Sequence, residues 1–119
     1  MKVPKYVRDL VERGRLRPAP LDEQASMADV SENKGVYGYM FRFYRHSNNQ
    51  RERVFEQEAE RLVNWANREH AEAKIHYHKW YSTKDHRKPY YKRDYALLTI
   101  TDPVAQKLEK LIAEVSKSR

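Results

Sequence analysis

The chain has 119 residues, a length that suits one hydrophobic core and leaves little room for two. It contains no cysteine, which removes disulfides, thiolate nucleophiles and cysteine-based zinc sites together. Lys and Arg number 24 against 17 Asp and Glu, a formal charge of +7, and the mean hydropathy is −1.04, so the core must be small and the surface basic.

Val3 to Arg13 sets Tyr6, Val7, Leu10 and Val11 on one helical face, with Pro4 near the first turn and Gly14 just past the end. This predicts a short helix. Residues 15–34 carry two prolines, mixed charge and little periodicity. They predict a surface arm, with a helical turn across Leu21 to Ala28, that wraps the body or orders on a partner. From Val36 to Tyr44 the aromatics Tyr37, Tyr39, Phe41 and Phe43 recur at every second position, the period of a half-buried strand with Phe41 and Phe43 toward the core. Arg51 to His70 then places Phe55, Ala59, Leu62, Val63 and Ala66 on one stripe, which predicts the longest helix.

Two more strands are expected, Ala73 to Ser82 and the apolar run Tyr95 to Thr101, joined as an antiparallel hairpin through the basic loop Thr83 to Lys92. Asp102 is a suitable N-cap and Pro103 a suitable first residue for a closing helix whose apolar face is Val104, Leu108, Leu111, Ile112 and Val115. The expected fold class is therefore α+β: an antiparallel three-stranded sheet with two amphipathic helices on one face, related to the ferredoxin-like arrangement. An N-terminal helix and arm, residues 1–34, precede this core at 35–119. No apolar run approaches the roughly 18 residues of a membrane span, and the opening Met1-Lys2-Val3-Pro4-Lys5 is not a secretory signal. A cytoplasmic protein without a membrane partner is expected.

The charge is unevenly placed. Lys74, Lys79, Lys84, Arg87, Lys88, Lys92 and Arg93 face only Asp85, so seven minus one puts +6 of the +7 between residues 74 and 93. Such asymmetry points to an anionic partner. Basic residues there are interleaved with rings, and the expected nucleic-acid-binding set is Arg42, Arg45, Lys74, His76, His78, Lys79, Trp80, Lys84, Arg87, Lys88, Tyr90, Tyr91, Lys92 and Arg93. Cations neutralise phosphates, exposed rings offer bases a platform, and a sheet with helices on one side can leave its other face open for both.

Other chemistry is weaker. The triplet His76-Tyr77-His78 resembles the strand on which rolling-circle initiators and relaxases hold a divalent metal. Those enzymes add a third ligand and a helical Tyr, whereas the closing helix here contains no Tyr and Tyr90 and Tyr91 fall in the expected loop. His76 and His78 are accordingly read as surface histidines. His70 is read as a ring near helix-terminal carbonyls rather than as an acid or base with Asp85 and His86. The glycines Gly14, Gly35 and Gly38 form no phosphate-binding loop, and there is no HExxH motif. No catalytic residue, metal or cofactor is expected.

The stretches KVPKYVRDLVERG, ERLVNWANRE and YALLTITDPVAQKLEKLI together resemble a family of small uncharacterised proteins carried on conjugative elements and prophages of Firmicutes. The resemblance implies a bacterial mobile-element context and no particular activity. The expected function is a non-enzymatic accessory protein that binds DNA or RNA, or a nucleic-acid-containing complex, through the basic hairpin and the sheet face. The alternative is a protein-binding inhibitor, such as an anti-CRISPR or other anti-defence factor.

Overall fold

The computed structural model describes residues 2–19, 39–47, 49–76 and 95–118. Among them lie three helices, α1 (Lys5–Glu12), α2 (Glu52–Arg68) and α3 (Val104–Lys117), and four strands, β1 (Leu16–Pro18), β2 (Tyr39–Tyr44), β3 (Ala73–His76) and β4 (Tyr95–Ile100). The strands form one antiparallel sheet in the order β1-β2-β4-β3. The α+β class holds, but the sheet has four strands rather than three, and this order does not by itself carry the expected ferredoxin-like relation. No helix among the described residues is long and apolar enough to cross a membrane.

The added strand is β1, which composition assigns to the arm. It pairs Leu16 with Phe43, Arg17 with Arg42 and Pro18 with Phe41. Pro18 lacks an N–H, which confines such a residue to a sheet edge, and β1 is an edge strand. Leu16 is buried in the same apolar cluster as Val7, Leu10 and Val11 of α1, Phe41 and Phe43 of β2, Phe55 and Leu62 of α2, and Leu108 of α3. One core therefore includes the N-terminal helix.

All six residues of β4 are buried, as suits a strand flanked on both edges and covered on both faces. Its alternate residues Ala96, Leu98 and Ile100 join the helix-side core, while Tyr95 and Leu97 enter a second cluster with Ala19 and Met40. The α2 stripe is buried as its spacing predicts, with Trp65 added.

Two helices end the same way. After α1, the N–H groups of Gly14 and Arg15 donate to Val11 O and Leu10 O, and Gly14 has φ +70°. After α2, His70 and Ala71 donate to Asn67 O and Ala66 O, with His70 at φ 67°. Both are Schellman caps, and at the second the left-handed position is taken by a histidine. The start of α3 differs from expectation. The helix begins at Val104, the Asp102–Pro103 peptide is cis, and the Asp102 carboxylate accepts from the Gln106 side chain rather than capping a backbone N–H.

The connection between β1 and β2 departs beyond Ala19 and returns at Tyr39, where β4 ends, since Tyr39 pairs with Ile100. The connection between β3 and β4 departs beyond His76 and returns at Tyr95, where β2 ends. The connections that hold the remainder of the expected 15–34 arm and the basic loop, both outside the described residues, therefore attach at opposite ends of the sheet.

Candidate nucleic-acid interface

Strand alternation sends Met40, Arg42 and Tyr44 to the face opposite the helices, and the register lines up their neighbours. Arg17, Arg42, Leu97 and His76 stand in one row across all four strands, Met40, Thr99 and Lys74 in a second, and Tyr44 and Tyr95 in a third. Four basic residues from three strands, Arg17, Arg42, Lys74 and His76, thus share one face. Arg17 and Lys74 are exposed, whereas Arg42 and His76 are partly buried.

This face is not open at its centre, contrary to the expectation. Leu97 is 0% exposed, and Met40, Tyr95 and Thr99 are each at 8% or less. Nor are its rings bare. The Arg42 guanidinium lies 4.5 Å from the Tyr95 ring centroid and donates to Tyr44 Oη at 3.1 Å, and the Arg17 guanidinium lies 5.2 Å from the Tyr44 centroid. Tyr44 and Tyr95 contact each other at 5.5 Å. Guanidinium groups over ring faces are held by the ring quadrupole, so on this surface the Tyr44 and Tyr95 rings are already engaged by arginines. Arg17 Nε also donates to Gly14 O at 2.7 Å, and His76 Nε2 lies 3.0 Å from Thr99 Oγ1.

Arg45 stands apart from this group. Counting by twos from Phe41 and Phe43 puts it on the helix side, where it pairs with Glu52, donates to Gln50 O at 2.6 Å and covers the Phe55 ring at 5.3 Å. Its side chain is 7% exposed, which makes it part of the junction between β2 and α2. A second buried arginine, Arg15, adjoins that junction. Its Nη1 meets Glu58 Oε2 at 2.5 Å, its Nε donates to Tyr44 O at 3.1 Å, and Gln50 donates to the other Glu58 oxygen.

Of the expected binding residues, Arg42, Arg45, Lys74 and His76 are described, and the structure brings Arg42, Lys74 and His76 onto one face. His78, Lys79, Trp80, Lys84, Arg87, Lys88, Tyr90, Tyr91, Lys92 and Arg93 lie outside the described residues. Arg17 joins the face without having been expected there. The signal for it is the alternation Arg15-Leu16-Arg17, too short to read as a strand without its partner. Among the described residues no three His, Asp or Glu side chains are placed to hold a metal ion. Compared with known protein families, curated proteins and solved structures, the chain has no match.

Proposed function

We propose that this protein is a non-enzymatic nucleic-acid-binding accessory factor of a bacterial mobile element, and that it engages the sugar–phosphate backbone through the sheet face opposite the helices together with the basic segment 74–93. One observation carries the reading: Arg17 and Arg42 are direct cross-strand partners on the face where that segment begins at Lys74. A polyanion laid across neighbouring cations gains affinity from both. Because Arg17 and Arg42 lie over Tyr44 and Tyr95, this face offers positive charge in preference to bare rings. The binding it supports is phosphate-driven and tolerant of sequence.

The test is fluorescence anisotropy with labelled single- and double-stranded DNA and RNA over a salt series. Affinity should fall linearly on a log–log plot, with a slope of about −0.9 per phosphate neutralised on duplex DNA. Arg17→Gln combined with Arg42→Gln should weaken all probes alike and make the slope shallower by about one per lost contact. Absence of binding to every probe at low salt rules the reading out. Capture of a host protein that survives nuclease treatment, without such binding, would favour a protein target instead.

A further inference from the structure

On the other side of the sheet, between α1 and α2, lies a cavity of about 180 Å³ whose wall includes Tyr6, Asp9, Arg13, Arg15, Glu58 and Arg61. Three guanidinium groups against two carboxylates leave it at +1. The two acids are not equivalent. Glu58 has both oxygens engaged, one by Arg15 and one by Gln50, so its charge is already answered, while Asp9 and Arg13 form no ion pair among the described residues.

The arginines are held ready in different ways. The Arg61 guanidinium carbon lies 3.7 Å from the Tyr6 ring centroid. Stacking uses the flat face of a guanidinium and leaves its in-plane N–H groups available, the geometry with which arginine grips oxyanions. Arg15 is anchored by Glu58 and by Tyr44 O, yet its Nη2 is buried with no hydrogen-bond partner. The volume holds several waters, at about 30 Å³ of liquid each, or one tetrahedral oxyanion with accompanying water.

We propose that this cavity is a binding site for a phosphate-sized oxyanion, gripped by Arg61 and Arg13 over a floor fixed by the Arg15–Glu58 pair. The site is independent of the sheet face and does not rest on the nucleic-acid reading. Inorganic phosphate and a nucleoside monophosphate bring the same group, free or attached. Equal affinity for the two identifies the free anion as the ligand, and tighter binding of the nucleotide identifies the attached one.

The experiment is a residue-resolved NMR titration of the full chain with each ligand in turn, at constant ionic strength balanced by sodium chloride. Saturable shifts are expected at the amides of Tyr6, Arg13 and Arg61 and at the side-chain Nε–H of Arg15. Arg13→Gln alters an exposed side chain and should keep the thermal midpoint of the parent, and Arg61→Gln, which also gives up the stack on Tyr6, should lower it by only a few degrees. Each should weaken binding at least tenfold. Shifts confined to residues 74–93, no saturable shift at the cavity with either ligand, or parental affinity in folded Arg61→Gln would overturn the proposal.

Discussion

On the helix side of the sheet, Phe41, Phe43, Leu98 and Ile100 are each 1% exposed or less and belong to one apolar cluster, with the Arg15 guanidinium over the Phe43 ring. On the opposite side Leu97 is equally buried, but its cross-strand partners are Arg42 and His76 and its apolar cluster is only Ala19, Met40 and Tyr95 with Tyr44 against them. The two faces of the same strands therefore do different work. The first converts shape and area into stability. The second holds a thin apolar centre beside cations, with the Arg17 and Arg42 guanidinium groups over the Tyr44 and Tyr95 rings.

Mutations can separate these roles. The largest effect is expected at Phe43, which is 0% exposed and stacked on Phe55 at 5.5 Å: Phe43→Ala should cost about 3–5 kcal/mol in chemical denaturation. Leu97→Ala on the other face should cost about 2–3 kcal/mol, and a loss under roughly 0.5 kcal/mol, as at an ordinary surface site, would show that this face is not a second core. Arg42→Ala should cost about 1–2 kcal/mol of stability, the scale of a partly desolvated cation–π contact, yet lower affinity for every nucleic-acid probe by a similar factor. Equal affinity for parent and variant would divorce the charge on this face from binding. The smallest change, and a control, is His70→Gly, which relieves a non-glycine residue at φ 67° and should stabilise by roughly 0.5 kcal/mol while leaving affinity unchanged.

Elements whose signal is contained in one contiguous stretch were legible from sequence. The stripe from Phe55 to Ala66 becomes α2, and the run YALLTI becomes the buried central strand. What was not legible depends on partners distant in the chain. Three residues ending in proline do not announce a strand, and β1 exists because Leu16 finds Phe43 across a long connection. For the same reason Arg17 is a surface-arm residue by composition and a sheet-face residue by register. Charge alone groups Arg45 with Arg42, but alternation separates them, and Glu52 consumes Arg45 within the fold. Spacing hints at none of the cavity that joins Arg13, Arg15 and Arg61, because it needs the packing of α1 against α2.

The position of β4 has a consequence for biosynthesis. It supplies the pairing edge for both β2 and β3, and yet it follows them in the chain. A nascent polypeptide emerging from the ribosome must therefore carry the aromatic stretch Tyr39–Tyr44 with one side unmatched until Ile100 has been made, a window in which unpaired strands invite intermolecular association. Arg42 places a charge in the middle of that stretch during this interval, the kind of residue that limits such association, before Tyr95 has been made for it to cover.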